Sequence, residues 1–262
     1  MDKPVVWSYG GGTQSIARWR LIELGKLPMP QIIVMADTSR EARRTWRYNW
    51  TYTFPRMHEA GANVHIAPHD LAKVDLYRIN KETGEKTLLI PAFTQEGKLD
   101  TFCSNEWKTR VVRRYLKNLY GNNFKCIMWL GMSTDEIERL KPSDVKWAEN
   151  HWPLCDMPVS GGYGVSMTRA ACEQLVIDAG LPPPPKSACD ICPHTTNEVW
   201  LDMKQNDTED FAEAVALDYL IREQDTQGGV FLHPNRVPLD QVDFTKPSEQ
   251  TLFGCDSGFC WT

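Results

Sequence analysis

The sequence predicts an α/β protein built on a doubly wound parallel sheet. Short apolar runs, typical of buried strands, alternate with longer segments of helical periodicity. This strand–helix–strand order favours parallel strands joined by right-handed crossovers. A chain of 262 residues with 42% hydrophobic residues is long enough for one large domain and a smaller appendage. We therefore expect an α/β domain over 1–180 and a cysteine-containing region over 181–262.

The elements follow in order from these patterns. Apolar runs predict four strands, at 5–9, 31–36, 63–67 and 126–131. Apolar periodicity and stop signals predict five helices, at 14–24, 41–60, 108–120, 168–179 and 206–224. The turn sequence at 81–85 predicts a hairpin or lid within 70–102, and the four prolines at 182–185 predict a stiff spacer. The end of the chain, 252–262, has two cysteines and three aromatic residues, and we expect it to be structured.

Composition narrows the function classes. A net charge of −5 and a pI of about 5.7 argue against non-specific coating of nucleic acid but leave room for a local basic groove. No apolar stretch approaches the ~20 residues of a membrane span, and the first residues lack the apolar region of a signal peptide. We expect a cytoplasmic protein without a membrane partner.

The glycine-rich segment at 8–15, SYGGGTQS, is the first candidate site. A strand, a glycine loop and a helix start together present N–H groups to an anion, and Thr13 and Ser15 add hydroxyls. This predicts a bound di- or triphosphate. The spacing matches neither the dinucleotide fingerprint nor the Walker loop. The alternative is a tight turn that only joins a strand to a helix.

Polar residues follow two other predicted strands. Asp37 ends the second strand, where open α/β sheets bind ligands, and its alternative role is a helix N-cap. Asp135 and Glu136 follow the fourth strand, where they would hold Mg²⁺ for a pyrophosphate or serve only as a helix-start acidic pair.

Clustered cysteines indicate a metal or redox site, because a disulfide framework is not expected in a reducing compartment. Cys189 and Cys192, followed by Pro193, are spaced to reach one metal ion or cluster; a redox pair or half a zinc site remains open. Cys126 and Cys172 lie in apolar segments and are predicted to be buried. The other cysteines are Cys103, Cys155, Cys255 and Cys260.

A basic run at 108–114 is predicted to contact phosphate or a nucleic-acid backbone, or to form a solvated helix face. Tryptophans near this run are base-stacking candidates or core residues: Trp46, Trp50 and Trp107. His194, after the cysteine pair, is a candidate proton donor.

The glycine loop resembles the PP-loop of the ATP pyrophosphatase superfamily, S-G-G-x-D-S, with Gly11, Gly12 and Ser15 at matching positions. Gly10 replaces the first serine and Gln14 the aspartate. This variant resembles the phosphoadenosine phosphosulfate (PAPS) reductase-like branch. The stretches at 36–38, 131–136 and 184–193 support that branch, in the family's order.

The resemblance implies a fold like the adenine nucleotide alpha-hydrolases, ATP cleaved between the α- and β-phosphates with Mg²⁺, and an iron–sulfur cluster, of 4Fe-4S type, with zinc as the alternative. The implied catalytic residues are Cys103, Asp135 and His194. The implied nucleotide-binding residues are Ser8, Gly10, Gly11, Gly12, Thr13, Gln14, Ser15, Asp37, Thr38, Lys108 and Arg113. The implied metal ligands are Cys103, Cys189, Cys192 and Cys260.

From these residues we expect an ATP-dependent adenylating sulfurtransferase acting on a nucleobase or nucleic acid. Candidate partners also include a sulfur-donor protein and a second copy of the chain. One alternative is a PAPS or adenylyl sulfate reductase, but the chain lacks the C-terminal Glu-Cys-Gly-(Leu/Ile)-His motif of the reductases it resembles. The other is a non-catalytic nucleotide-binding module with structural zinc, suggested by the replaced loop aspartate.

Overall fold

The computed structural model describes residues 3–68, 76–100, 102–158, 161–225 and 229–246. These residues form two compact units. The sheet unit comprises 3–37, 44–68, 110–158 and 161–187, and the cysteine unit comprises 38–43, 76–100, 102–109, 188–225 and 229–246. The predicted boundary at residue 180, between an α/β domain and a cysteine-containing region, stays a prediction.

The elements of the described residues are as follows. The strands are β1 (Val5–Ser8), β2 (Ile32–Ala36), β3 (Val64–Ala67), β4 (Tyr77–Ile79), β5 (Lys86–Leu88), β6 (Phe93–Thr94), β7 (Gly97–Lys98), β8 (Cys126–Trp129) and β9 (Ala148–His151). The α-helices are α1 (Thr13–Glu23), α2 (Arg43–Tyr48), α3 (Phe54–Glu59), α4 (Arg110–Tyr120), α5 (Arg169–Asp178), α6 (Asn197–Asn206) and α7 (Thr208–Gln224). Two π-helical turns, Asn49–Thr53 and Asn105–Thr109, and two 3₁₀ turns, Thr134–Arg139 and Leu239–Gln241, complete the set.

Five parallel strands form the central sheet of the sheet unit, in the order β3-β2-β1-β8-β9. The predicted α/β class and parallel sheet are confirmed, and the arrangement is compatible with a Rossmann-like wound sheet. After β1 the chain places β2 and β3 on one side of β1, and later places β8 and β9 on its other side. The carboxyl ends of β1 and β8 therefore flank the position where open sheets of this kind bind ligands.

The core of the sheet unit is formed by the apolar faces that the sequence patterns predict. Trp7, Ile33 and Trp129 on three adjacent strands are fully buried, and Met57 of α3 packs with them. Helix α1 packs against α5, where Cys172 and Val176 are also fully buried. Cys172 and Cys126 are thus small buried side chains, as predicted.

The structure adds elements that the patterns did not predict, among them strand β9 and helix α6. Strand β9 reads Ala-Glu-Asn-His, so it has no apolar alternation, and it is recognised only through its pairing with β8. Helix α6 was missed before α7. The predicted helix at 41–60 is α2, a π-helical turn and α3 in succession, and the turn at 81–85 does join a hairpin, β4 to β5.

The cysteine unit has its own core, formed by α6, α7 and the chain segments around them. Trp200, Ile221 and Leu232 are fully buried there. The buried Asp218 carboxylate on α7 accepts hydrogen bonds from the N–H groups of Leu232 (2.9 Å) and Leu239 (3.1 Å). This carboxylate therefore fixes the segment after α7 to the helix. In the part of the chain that the structure describes, no helix has the length and apolar character needed to cross a membrane.

His233 gives the cysteine unit a predictable dependence on pH. The His233 ring is fully buried, with Nε2 lying 2.8 Å from Asn197 Oδ1 and Nδ1 accepting a hydrogen bond from the Asn235 N–H. Burial lowers the pKa of His233 to about 4. In the unfolded chain the histidine pKa is near 6.5, so between about pH 4 and 6.5 the unfolded chain binds more protons than the folded protein. The stabilising contribution is complete above about pH 6.5 and is lost as the pH falls towards 4.

We expect the free energy of unfolding to fall by up to about 3 kcal/mol over that range, at about 1.4 kcal/mol per pH unit where the slope is steepest. Denaturant titrations at stepped pH, compared with His233→Asn, measure this. The variant is expected to lose that part of the slope, and an unchanged slope in a folded variant would refute the assignment.

Candidate functional site

The glycine loop lies at the carboxyl end of β1. Ser8 is the last residue of the strand, and Gly12 is the N-cap of α1 without any side-chain capping bond. The first turn of α1 has no acidic residue. N–H groups at a helix start have no partner inside the helix and carry the positive end of its dipole. The first turn of α1, which begins at Thr13 and Gln14, therefore suits an anion.

Two of the three glycines are required by close approach of protein atoms. A Cβ on Gly11 would lie 3.0 Å from Thr45 Cγ2 and 3.1 Å from Met35 Cε, and its φ of +74° also favours glycine. A Cβ on Gly12 would lie 2.8 Å from the backbone nitrogen of Ser187. Packing within the sheet unit is thus sufficient to explain these two residues.

Gly10 is different. A Cβ there would meet only Ser15 Oγ, at 3.6 Å, which is an ordinary contact. Its N–H donates to the same Ser15 hydroxyl at 3.0 Å, so the loop closes on itself while the Cβ side of Gly10 stays open. No described protein atom therefore requires glycine at position 10, and the space beside it could hold a ligand.

A buried amide holds the loop from below. Asn49, at the start of a π-helical turn and fully buried, donates from Nδ2 to the carbonyls of Gly11 (2.9 Å) and Thr45 (2.8 Å). Its Oδ1 accepts the Tyr9 hydroxyl. π-Helical turns inside α-helices are frequent at functional sites. The sequence analysis missed Asn49, because one polar residue in an aromatic-rich helix has no distinctive pattern.

The loop after β8 joins the glycine loop through Gln14. The Gln14 amide donates to Ser133 Oγ (3.4 Å) and to Glu136 Oε2 (3.2 Å). Ser133 and Glu136 form a capping box, and Arg139 makes an ion pair with Glu136. An aspartate at position 14 would face the Glu136 carboxylate, so the neutral donor suits this site.

Asp135 is exposed beside this pair. Its carboxylate accepts the Arg169 N–H at 3.2 Å. Burial acts to raise the pKa of Asp135, but the hydrogen bonds from Ser133 and Arg169 outweigh it, so the pKa lies below its usual value. Asp135 is thus ionised at neutral pH and fixes the start of α5; its role towards Mg²⁺ stays a prediction.

Arg18 is a second residue that the sequence analysis missed. It lies one turn after Gln14 on α1, is fully buried, and donates from Nη1 to the Leu130 carbonyl at 3.1 Å. Its guanidinium stacks on Trp7, and a Cβ on Gly131 would lie 2.9 Å from Nη2. Burial lowers the pKa of Arg18 to about 9, so it remains charged at neutral pH. The close approach of this guanidinium explains why position 131 is a glycine.

The remaining predicted nucleotide-binding residues divide between the units. Asp37, half-buried, follows β2, and its N–H donates to Ala67 at 2.9 Å, so it lies at the same edge of the sheet as Ser8. Thr38 belongs to the cysteine unit, where its hydroxyl accepts the Arg40 N–H at 3.2 Å. Arg113 lies on α4 over the Trp147 ring. Trp147 precedes β9, so Arg113 lies near the amino ends of the strands, whereas the glycine loop follows the carboxyl end of β1.

The cysteine unit brings Cys189 together with several predicted residues. Arg40–Ala42 and Ala188–Asp190 pair as a short antiparallel bridge, with Glu41 opposite Cys189. Lys108 Nζ lies 4.0 Å from the buried Glu41 carboxylate. Burial raises the pKa of Cys189 to about 12, and the nearby Lys108 charge only partly opposes this, while Cys103 is close enough to raise it further. The free Cys189 thiol is therefore protonated at neutral pH.

Cys192 and His194 lie on the turns that follow. The Cys192 N–H donates to the Cys189 carbonyl at 3.2 Å, as a two-residue spacing allows. The buried His194 ring accepts at Nδ1 from Lys98 Nζ at 3.3 Å. Lys108 and His194 are thus both in the cysteine unit, and their predicted roles towards ATP and catalysis stay predictions.

Thiols of the kind that bind iron or zinc are present, but a finished metal site is not seen among the described residues. Within them, no three His, Cys, Asp or Glu side chains are arranged to hold a metal ion. Cys103, Cys189 and Cys192 share one unit and have the right donor chemistry. Cys260, the fourth predicted ligand, and Cys255 lie outside the described residues. The metal ligand set stays a prediction.

Comparison with protein-family models and with curated proteins finds no match to this chain. The resemblance of the motif residues to the PP-loop superfamily therefore stays a prediction.

Gly10 offers a test of the loop that folding does not confound. Gly10→Ala meets no protein atom closer than 3.6 Å, so the free energy of unfolding is expected to change by less than about 1 kcal/mol. We expect ATP affinity, measured by calorimetry, to fall at least about tenfold, because the methyl group occupies the phosphate side of the loop.

Gly11→Ala is the matched control. It is expected to destabilise the fold by about 1–3 kcal/mol through its positive φ and contacts, whether or not nucleotide binds. A stable Gly10→Ala protein with the parent's ATP affinity would contradict a phosphate site at this loop.

Proposed function

We propose that this chain is an ATP-dependent adenylating sulfurtransferase of the PP-loop type, with an adenine nucleotide alpha-hydrolase-like fold. The observation that carries the proposal is Gly10. It is an open, side-chain-free position in a loop that follows β1, at the point where the strand order reverses. Gln14 links this loop to the loop after the adjacent strand, β8.

In the proposed reaction, the N–H groups of the loop and of the first turn of α1 bind the β- and γ-phosphates. An oxygen of the acceptor attacks the α-phosphorus, the bond from that phosphorus to the bridging oxygen breaks, and pyrophosphate leaves. The loop supports this step because its donors and the helix dipole stabilise the charge of the leaving group. Mg²⁺ would add charge neutralisation, with Asp37 after β2 and Asp135 after β8 as candidate carboxylate ligands in the sheet unit.

The adenylated acceptor is then attacked at carbon by sulfur at the oxidation level of sulfide, and AMP leaves with the former acceptor oxygen. This exchange is redox-neutral, so it requires a sulfide-level donor but no external reductant. Cys103, Cys189 and Cys192 would hold the iron–sulfur cluster, which would supply or bind that sulfur. Because the free Cys189 thiol is protonated, it is a poor resting nucleophile without a bound metal.

The product pattern tests the proposal. We expect ATP labelled at both the α- and the γ-phosphate to yield labelled AMP and labelled pyrophosphate in equal amounts, in reactions with sulfide and a pooled nucleic-acid acceptor. Gly10→Ala should lose most of this activity, whereas Cys189→Ser should still release pyrophosphate but transfer no sulfur. This split follows because adenylation precedes sulfur attack.

ADP and orthophosphate as products would show cleavage at the wrong bond and refute the assignment. AMP formation without any sulfur in the acceptor, in protein purified anaerobically with iron, would refute the transfer step. A colourless protein containing zinc alone would favour the module with structural zinc.

A further inference from the structure

Helix α4 presents an exposed basic face. Arg110, Arg113 and Arg114 are exposed and Lys117 is half-exposed, on a helix whose sequence, RVVRRYLKNLY, has no acidic residue. Arg110, Arg113 and Lys117 fall at helical spacings that share one side. Among the described residues, neither Arg113 nor Lys117 has an ion-pair partner. This face is strongly positive in a chain with a net charge of −5.

The opposite face of α4 is already occupied. Val111, Val112 and Leu116 are buried, and α4 packs against β2 and β3. A helix that binds a membrane surface needs a free apolar face to insert among the lipids. Because that face packs on the sheet, α4 offers a partner mainly its charged side chains, with Leu119 and Tyr120 exposed at its end.

Aromatic rings continue the basic face. Tyr120 is 44% exposed, lies seven residues after Arg113 and therefore shares its side, and stacks on Phe124 at 4.9 Å. The half-exposed Trp147 ring lies against the Arg113 guanidinium. Stacking rings beside cations are the combination that binds single-stranded nucleic acid, since bases stack on the rings while phosphates meet the charges.

The density of charge agrees with this partner. From Arg110 to Lys117 the helix axis advances about 10 Å and passes four cations, or roughly one per 2.6 Å. One nucleic-acid strand has a comparable density, about one negative charge per 3.4 Å in duplex geometry. An extended peptide reaches a similar density, about one charge per 3.3 Å, only if every residue is acidic, and it has no bases to stack on the rings.

We propose that the basic face of α4, ending at Tyr120, binds single-stranded nucleic acid. The inference deepens the proposed function, on which it rests for the statement that the bound strand is the acceptor. It assigns to Arg113 and Lys117 contacts with phosphates and to Tyr120 a stacked base.

The test measures binding of a labelled single-stranded oligonucleotide by fluorescence anisotropy, without ATP, between about 50 and 200 mM salt. For Arg113→Gln with Lys117→Gln, the slope of log affinity against log salt is expected to shrink by roughly 1.4, since each lost phosphate contact removes about 0.7. The charge-keeping variant, Arg113→Lys with Lys117→Arg, should keep the slope. Tyr120→Ala should weaken binding on the order of tenfold with the slope unchanged.

The control is Lys81→Gln with Lys86→Gln, which removes the same charge from the exposed β4–β5 hairpin and should bind as the parent does. Circular dichroism confirms folding of each variant. A parent-like slope in the Arg113/Lys117 Gln variant overturns the proposal. So does competition by polyglutamate or anionic vesicles as strong as by the oligonucleotide, or an undiminished affinity in Tyr120→Ala. Because ATP is absent, these outcomes are separate from failure of pyrophosphate release.

Discussion

The hydrogen bonds of Asn49 are the constraint on which the glycine loop depends. One buried amide satisfies the carbonyls of Gly11 and Thr45 and accepts the Tyr9 hydroxyl. Each of these groups would be costly to bury without a partner, by about 1–3 kcal/mol. Satisfying all of them at once fixes the loop to the helix that follows β2, with the Gly11 carbonyl directed inward. A loop so fixed needs little reorganisation when a phosphate binds, which favours affinity.

Gln14 and Arg18, one turn apart on α1, connect this helix to the loop after β8. Gln14 bonds to the loop after β8, and Arg18 holds the Leu130 carbonyl beneath Gly131. Two adjacent strands thus have their following loops joined by α1 side chains. This gives a physical reason for glutamine at position 14, where the PP-loop pattern that the segment resembles has aspartate: the position faces Glu136, and a neutral donor avoids placing two carboxylates together.

Much of the sheet unit was predictable from local pattern. Four strands and most helices were found because apolar runs and helical periodicity are local properties, and the strand–loop–helix position of Gly10 to Ser15 follows from them. Strand β9 was not found, since its polar sequence forms a strand only by pairing with β8. Asn49, Arg18 and Ser187 were missed for a related reason: their contacts join residues distant in sequence. The three glycines show most clearly what the sequence alone cannot distinguish, namely packing against protein atoms from contact with a ligand. All three suggested phosphate, yet contacts from Thr45, Met35 and Ser187 explain Gly11 and Gly12.

The central claim is that this loop, as Asn49 holds it, binds the phosphates of ATP. The most direct measurement is a crystal structure of the full chain with Mg²⁺ and an ATP analogue bearing a methylene bridge between the α- and β-phosphorus atoms. The account predicts the β- and γ-phosphates against the N–H groups from Gly11 to Ser15, over the open side of Gly10, with Asn49 still bonded to the Gly11 carbonyl. An analogue bound elsewhere at saturation, with those N–H groups occupied by protein atoms, would contradict it.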